Sequence, residues 1–311
     1  MKVEFKLKAH DLIKTEIKKR LFKFIIGDKN LLFVKPDDII SQDFISNGYH
    51  EYGLTQFIKF FADKDFNDFF IDIGSNIGLI SSPVSCLFKE LHLFEPNPVA
   101  AHILSANMMI SGSYEKSNIY EFGLGKSKGI IELKIPPKNY GGAFINSNDN
   151  MYTSEELFLK DGYENTSFDG HLIQKVQIVD ANQFFPSFLK DIENRELKKG
   201  IIKIDVEGME LVILEAIANS LPSNFEIIII YEDWFRKTGH ELISKIFGKN
   251  ACLFFLKRNR RYKIGSLWSK IISVILEKID GKSVLEYELL PWKEMDVVED
   301  KSLDMVIFLK T

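Results

Sequence analysis

Acidic residues and glycines stand near the ends of apolar runs of strand length, where side chains can reach a ligand. Residues 69–78 read FFIDIGSNIG, an apolar run that passes through Asp72 into a glycine-containing turn. Glycine at such a turn lets a nucleotide-like ligand approach the backbone. The dinucleotide fingerprint would need a glycine in place of Asn76, and a carboxylate beside a pyrophosphate would repel it. Asp72 would instead attract the ammonium end of a cationic ligand.

A second acidic residue follows the next apolar run of the chain. Glu95 lies 21 residues after Gly74, in the segment LFEPNP. An acid at this point of a nucleotide-binding α/β fold accepts hydrogen bonds from ribose hydroxyls. Helix capping is the alternative role, but Asn97 followed by Pro98 is the better N-cap. We therefore predict that Glu95 binds a ribose.

Further acids follow two later apolar runs and are the candidates for catalysis. Asp205, Glu207 and Glu210 follow one run, and Glu232 ends the next. Ligands of open α/β sheets bind at the carboxyl ends of the strands. We predict Asp205, Glu207 and Glu232 as catalytic residues, and Asp205 and Glu207 could act as a base, a metal ligand or a binding group for an amine. The helix dipole could also explain acids in a first turn, and we interpret Glu210 in this way. No separate ligand motif supports a metal, so the prediction contains none.

The elements that carry these residues alternate between apolar runs and helical patterns. This alternation is typical of a parallel sheet with helices on both faces. We predict strands at 69–73, 91–94, 118–122, 201–205, 225–231, 253–257 and 305–309, and helices at 79–88 and 209–218. A further helix is predicted with Val99, Ile103, Ala106 and Ile110 along its apolar face.

The chain divides into a short prelude and one large domain. We predict that residues 1–60 form a partly helical N-terminal prelude that packs on or caps the core, and that 61–311 form the main domain. A basic amphipathic pattern at 12–25 could contact an anionic membrane, although packing on its own domain is favoured. Residues at about 136–170 are rich in Pro, Gly, Asn and Ser, and we predict an inserted loop there.

Composition restricts the partners and the compartment. The formal net charge of −4 over 311 residues gives no basic field to attract nucleic acid, so that partner is not expected. Cys86 and Cys252 stand in apolar surroundings and are predicted to be buried thiols in a reducing cytoplasm. No secretory signal and no apolar run long enough to span a bilayer are present, which predicts a cytoplasmic protein without stable membrane insertion. The oligomeric state stays open.

Taken in order, these motifs resemble the FkbM-type S-adenosylmethionine-dependent methyltransferases. The series is DIGSNIG, FEPNP, SAN, GLG and IKIDVEGME, and GYHEYG at 48–53 resembles the G-x-Y-E element of that family. The resemblance covers roughly residues 41–235 and is weak in the first 40 residues and after Trp234. It implies a Rossmann-like α/β fold, with a seven-stranded methyltransferase sheet and S-adenosylmethionine over the carboxyl ends of its strands.

The resemblance also implies roles for individual residues. Asp72, Gly74, Ser75, Asn76 and Gly78 would lie against the methionine moiety, Glu95 would hold the ribose, Pro96 and Asn97 would lie beside the adenosine, and Gly123 and Leu124 would border the adenine. Asn107 would tie its helix to the cofactor loop. Ser75 stands where family members often have Ala, which is a minor departure.

The resemblance further implies O-methylation, often of sugars or natural products, and we expect a carbohydrate hydroxyl as acceptor. Amide and aromatic groups suit sugars, so the inserted loop is the expected acceptor wall. The substrate-binding residues are predicted to be Tyr49, Glu51, Tyr140, Gly141 and Gly142. N-methylation of an amine or phosphoramidate, and a non-catalytic cofactor-binding paralogue, are the alternatives. Asn76 argues against a nucleotide-dependent oxidoreductase.

Overall fold

A computed structural model describes most of the chain. It covers residues 17, 32–35, 38–47, 49–137, 139–145, 150, 153, 156, 171–233, 238–248, 251–260, 285–292 and 304–310. Apart from Ile17, the amphipathic pattern at 12–25 lies outside the described residues, as does most of the predicted loop after residue 145.

Twelve strands and seven α-helices are found within these described ranges. The strands are β1 Phe69–Ile73, β2 Glu90–Phe94, β3 Ser117–Tyr120, β4 Gly123–Gly125, β5 Gly129–Ile135, β6 Phe144–Ile145, β7 Leu172–Asp180, β8 Lys199–Ile204, β9 Glu226–Glu232, β10 Ala251–Arg260, β11 Leu285–Pro291 and β12 Asp304–Lys310. The helices are α1 Ile39–Asn47, α2 Tyr52–Ala62, α3 Ser81–Val84, α4 Pro98–Ile110, α5 Ala181–Asn194, α6 Glu210–Ala218 and α7 His240–Phe247.

Eight strands form the main sheet in the order β11-β10-β12-β9-β8-β1-β2-β3. The five strands from β9 to β3 pair in parallel, and β12, β10 and β11 continue the sheet in antiparallel pairs. The predicted Rossmann-like fold is confirmed. The predicted seven strands are present, and β11, which was not predicted, extends the sheet at its edge.

Helices cover both faces of this sheet, and successive side chains of β1 point into two apolar cores, one on each face. Phe69, Ile71 and Ile73 pack in one core with residues of α5, α6 and α7. Phe70 packs in the other core with residues of α2, α3 and α4. Asp72 shares the face of Phe70, since successive strand residues point to opposite faces. The carboxyl ends of the parallel strands all meet at one edge, where the candidate acids stand.

A second, four-stranded sheet in the order β4-β7-β5-β6 is inserted between β3 and β8. It has a small core of its own, formed by Leu133, Ile135, Val176 and Ile178. Phe144 of β6 forms an isolated bridge with Glu207, next to the end of β8. The expected loop therefore belongs, in its described part, to an insert that begins earlier and contains regular strands.

Two predictions, one of a helix and one of the burial of the cysteines, are wrong. The helix predicted at 79–88 is limited to α3 and a 3₁₀ turn at Ser85–Leu87. Cys86 and Cys252 are exposed, free thiols. Apolar neighbours in the sequence did not bury them, because adjacent positions of a turn or a strand face different surroundings.

The apolar face of α4 is also placed differently from the prediction. Val99 and Ile110 are 53% and 47% exposed, and Ala100, Leu104 and Met108 face the core instead. Among the described residues, no helix has the length and hydropathy needed to cross a membrane.

Candidate functional site

A cavity of about 260 Å³ opens at the carboxyl edge of the parallel strands. Its walls come from the turn after β1, the end of β2, strand β4, the segment 139–145 of the insert, and the turn after β8. Sequence positions far apart therefore meet at one site, as expected for an open α/β sheet.

The turn after β1 depends on left-handed backbone conformations. Gly74, Asn76 and Gly78 have φ values of 86°, 49° and 81°. A Cβ atom on Gly74 would lie 1.9 Å from the carbonyl oxygen of Asp205, so only glycine lets this turn approach the end of β8. The backbone N–H groups of Gly74 and Ser75 both donate to the carbonyl oxygen of Phe94, at 3.0 and 2.9 Å. These bonds hold the turn against the end of β2.

Glu95 is held by two backbone donors at the end of β2. The N–H groups of Asn76 and Asn97 donate to its two carboxylate oxygens, each at 2.8 Å. Burial raises the pKa of Glu95 to about 7, although these two hydrogen bonds act in the opposite direction. The helix-capping role falls to Asn97, whose side chain accepts from the Val99 N–H at 3.1 Å, as predicted.

Asn107 links α4 to the turn after β1. Its side-chain amide donates to the carbonyl oxygen of Ile77 at 2.7 Å. The same side chain accepts from the N–H of Phe33 at 2.6 Å and donates to its carbonyl oxygen at 3.0 Å. The prediction that Asn107 ties its helix to this loop is confirmed.

A buried lysine joins the two sides of the site and was missed by the sequence analysis. Lys203 of β8 is paired in register with Asp72 of β1. Its ammonium lies 3.3 Å from Asp72 and 3.1 Å from Asp205. Burial would lower the pKa of Lys203, but the negative charges of Asp205, Asp72 and Glu51 raise it overall. Ser81 donates to the other oxygen of Asp72, so that carboxylate is satisfied inside the protein.

Acidic side chains line the cavity at the ends of β8 and β9, which the strand order separates from Glu95 at the end of β2. Glu51, Asp205, Glu207 and Glu232 all line it. Burial, followed by the charge of Asp205, raises the pKa of Glu51 well above its ordinary value. Asp304 of β12 is in register with Glu232 of β9, and burial and that neighbouring charge raise its pKa to about 7.

The insert covers the cavity through two close contacts. A Cβ atom on Gly141 would lie 2.1 Å from Ile40 of α1 and 3.0 Å from the side-chain nitrogen of Asn76. Asn150 donates to the carbonyl oxygens of Ile145 and Glu207, at 3.0 and 2.7 Å. The insert is thereby attached to both the turn after β1 and the turn after β8.

Most of the predicted site residues line this one cavity. Those that do are Glu51, Asp72, Gly74, Ser75, Asn76, Glu95, Pro96, Gly123, Leu124, Gly141, Gly142, Asp205, Glu207 and Glu232. Gly78 and Asn97 support the turn and the helix behind it, and the Tyr140 side chain is outside the described part. Tyr49 does not line the cavity; its ring packs on that of Tyr52, with the centroids 4.5 Å apart.

Several cavity residues were not among the predicted site residues. They are mainly His50, Phe94, Phe122, Asn139, Phe144 and Lys203. Lys203 carried a usable signal, because a charged residue between Ile202 and Ile204 of a buried strand requires a partner. Asn139 and Phe144 lie in the loop that was predicted as the acceptor wall, whereas Phe94 and Phe122 gave no such signal, since their sequence positions resemble ordinary core residues. Among the described residues, no group of three His, Cys, Asp or Glu side chains is placed to hold a metal ion.

The fold and the site define a doubly wound α/β protein with a cavity at the carboxyl edge of its sheet. The Methyltransferase FkbM domain matches residues 72–263, and the chain belongs to this family. The match extends beyond Trp234, where the motif resemblance was weak. The chain is therefore a methyltransferase that uses S-adenosylmethionine.

One curated relative and two solved structures illustrate the range of similarity. Methyltransferase sdnD of Sordaria araneosa is 26% identical over 181 residues, which cover 56% of this chain and 69% of sdnD. Precorrin 8w decarboxylase from Methanobacterium thermoautotrophicum has a TM-score of 0.41 and 11% identity, over 89% of this chain and 99% of that one. An O-methyltransferase from Bacillus cereus in complex with SAH has a TM-score of 0.37 and 9% identity, over 98% and 93%. Similarity at this level says nothing about what this chain methylates.

The described residues fit the cofactor of this family. The side-chain oxygen of Asn76 is buried and has no hydrogen-bond partner among the described residues, so it is available to a ligand donor. Glu95 presents carboxylate oxygens that can accept further hydrogen bonds. Gly123 and Leu124 border the same cavity beside the Phe122 ring. These residues would hold the methionine end, the ribose and the adenine, as the resemblance implies.

Proposed function

We propose that the chain O-methylates a hydroxyl group of a sugar or glycan precursor. The observation that supports this most strongly is the continuity of one cavity from Asn76 and Glu95 to Asp205, Glu207 and Glu232. The cofactor supplies an activated methyl group. The protein must then align the acceptor and remove the hydroxyl proton. Carboxylates at the far end of the cavity are suited to that proton transfer.

The roof of the cavity supports a carbohydrate acceptor. Asn139 and Phe144 line it, next to Gly141 and Gly142. Amides can pair with sugar hydroxyls, and aromatic rings can pack on the apolar faces of sugars. Glycines leave room for the acceptor to approach the backbone. The proposal therefore keeps the insert as the acceptor wall.

A cytoplasmic site of action and the absence of a nucleic-acid partner are part of the same proposal. Exposed free thiols at Cys86 and Cys252 suit a reducing compartment. The small negative net charge of −4 supplies no field for nucleic acid.

The test starts with calorimetric titration of S-adenosylmethionine into the purified protein and into Glu95→Ala. Micromolar binding that is lost in the variant supports the site assignment. The protein is then incubated with labelled cofactor and a panel of nucleotide sugars and oligosaccharides, and products are identified by mass spectrometry and NMR. An O-methyl sugar supports the proposal. An N-methyl product, or cofactor binding with no transfer to any acceptor, contradicts it in favour of the two alternatives.

Variants at the acidic end separate the candidate catalytic residues. Asp205→Asn, Glu207→Gln and Glu232→Gln are compared with Glu215→Gln, which makes the same chemical change at an exposed position of α6. A base should lose turnover by about 10²–10⁴-fold while cofactor affinity persists. Unchanged turnover in one of the three would remove that residue from the list.

A further inference from the structure

Glu51 stands at the acceptor end of the cavity in an unusual backbone conformation. It precedes α2 with φ 45° and ψ 63°, in the left-handed region that residues with a Cβ atom rarely adopt. Such conformations are unfavourable and persist where the surrounding structure imposes them, often at functional sites. Here the Thr55 N–H donates to the Glu51 carbonyl oxygen at 3.0 Å. Gly53 packs against Tyr287 of β11, where a Cβ atom would lie 2.0 Å from the ring.

Glu51 also lies where the main cavity meets a smaller recess. It lines both, as do Lys203, Asp205 and Glu232. Asp304 lines the recess but not the main cavity. A carboxylate at Glu51 can therefore face an acceptor on one side and the charge of Asp304 on the other.

The charged groups that act on Glu51 lie on β9 and β12, on β8 and in the turn after it. Asp205, Asp304 and Glu232 disfavour its ionised form, and Lys203 favours it. His50 lies beside it in the cavity wall, and Tyr287 packs on the following turn. Asp205 differs from Glu51 because the Lys203 ammonium lies 3.1 Å from its carboxylate. That contact engages its negative charge, whereas no ion pair of this kind is found for Glu51 among the described residues, and Lys203 acts on it only through its charge.

We propose that Glu51 is the catalytic residue that accepts the proton of the acceptor hydroxyl, and that Asp304 is a positioning residue that acts on Glu51 through its charge. This inference rests on the proposed O-methylation. The acceptor oxygen forms its bond to the methyl carbon as the methyl–sulfur bond breaks with its electron pair left on sulfur. The O–H electron pair stays on oxygen, and the proton passes to a Glu51 carboxylate oxygen. Sulfur loses its positive charge as the carboxylate loses its negative one.

Both residues lie outside the family-matched range of 72–263. Glu51 precedes β1 and Asp304 begins the C-terminal strand β12. A raised proton affinity suits a base that works near neutral pH, and the pKa of Glu51 is raised in that direction. Segments on either side of the matched domain would thus complete its acceptor end.

The first arm of the test needs no acceptor. The full chain is labelled with ¹³C at glutamate side-chain carboxyls, and the signal lost in Glu51→Gln is followed against pH by NMR. We expect its midpoint to lie well above the ordinary range of glutamate and to fall in Asp304→Asn, because that variant removes a negative neighbour. An ordinary midpoint, or one that Asp304→Asn does not move, overturns the inference.

The second arm uses the acceptor identified in the panel. Glu51→Gln should lower kcat by about 10²–10⁴-fold while the Kd for S-adenosylmethionine stays within about twofold. Glu51→Asp should recover part of the turnover, and Asp304→Asn should move the acidic limb of the kcat profile to lower pH. Glu215→Gln is the matched control. Hydroxyl methylation at a normal rate in Glu51→Gln refutes the assignment alone, whereas a product methylated on nitrogen refutes the proposed function together with it.

Discussion

Lys203 places one positive charge between Asp72 of β1 and Asp205 at the end of β8. Removing one partner of a buried ion pair leaves an uncompensated charge, which costs roughly 3–5 kcal/mol. We expect Lys203→Met to lower the free energy of unfolding by about that amount in a urea titration. Adding Asp72→Asn should restore part of the lost stability, because it removes the buried negative charge that Lys203→Met leaves without its ammonium partner.

The double variant decides between charge and packing as the cause. If Lys203→Met with Asp72→Asn is no more stable than Lys203→Met, the lysine contributes through its packed stem and not through the ion pair. A coupling energy between the two positions is what the cycle measures.

Glu95 should make cofactor binding depend on pH. Its pKa of about 7 in the free protein means that only about a tenth of the molecules carry the ionised carboxylate at pH 6. If the ionised form accepts the ribose hydroxyls, the Kd for S-adenosylmethionine should be about tenfold higher at pH 6 than at pH 8. Calorimetric titration at several pH values measures this, and Glu95→Gln should bind more weakly with a flat profile. If Glu95→Gln shows the same dependence of Kd on pH as the unmodified protein, that dependence comes from another titratable group.

The raised pKa of Glu95 also has a consequence for stability. A carboxyl whose folded-state pKa exceeds its unfolded value contributes stability below the unfolded pKa, and this is lost as pH rises through the folded pKa. The contribution of Glu95 therefore falls between about pH 4.5 and 7. The protein holds a costly ionised group at neutral pH, as binding sites often do.

Sequence reasoning located the acids at strand ends but not the groups that modulate them. Asp205, Glu207 and Glu232 could be predicted because each ends or follows an apolar run. Asp304 could not, because its importance comes from its cross-strand register with Glu232, and antiparallel pairing of β12 with β9 is a tertiary fact. Charges that meet only after folding leave no local pattern.

At the scale of elements, the parallel strands were predicted within about two residues, whereas the insert was predicted as a loop at about 136–170 and its strands were not predicted. Buried parallel strands read as continuous apolar runs, which are conspicuous. The strands of the insert are half exposed, and in β7 the side chains of Leu172 to Lys175 all face solvent. The alternation in β5, where Leu133 and Ile135 are buried and Ile130 is exposed, was a weaker signal that could have been used.

Helix α4 shows a different limit of hydrophobic periodicity. Its buried face contains Asn107, whose three hydrogen bonds to Phe33 and Ile77 hold the helix on the core. A pattern built only from apolar residues leaves Asn107 out, so the predicted buried face was rotated toward Val99 and Ile110, which are exposed. A buried polar residue with complete partners can decide the orientation of a helix.

The insert should open as a local unit when its link to the turn after β8 is removed. Asn150→Ala deletes the two donors to Ile145 and Glu207, a loss of about 1–2 kcal/mol. We expect faster amide hydrogen exchange in β6 and at 206–208, with the urea midpoint of the whole protein unchanged. Asn194→Ala, at an exposed position of α5, is the control. Equally faster exchange in β1 and β8 would show that the insert and the main sheet open together.

At the scale of the whole molecule, the C-terminal strand β12 is an internal strand of the main sheet. β12 lies between β9 and β10, so within the described strands the pair formed by β10 and β11 is joined to the parallel strands through β12. Gly53, two residues after Glu51, packs on Tyr287 of β11. The proposed acceptor end of the site would therefore depend on residues from both sides of the matched domain.

Deleting residues 304–311 should consequently prevent cooperative folding. The deletion leaves β9 with an unpaired edge and removes Met305, Val306 and Ile307, all fully buried. We expect the truncated chain to lose its near-ultraviolet circular dichroism and to bind a hydrophobic dye, while deletion of Thr311 alone changes neither. Ile307→Asp tests the same point in the full chain, since an unpaired buried charge should cost several kcal/mol. A truncated chain that still unfolds in one transition with the m-value of the intact protein would mean that β12 and the pair formed by β10 and β11 add little buried surface.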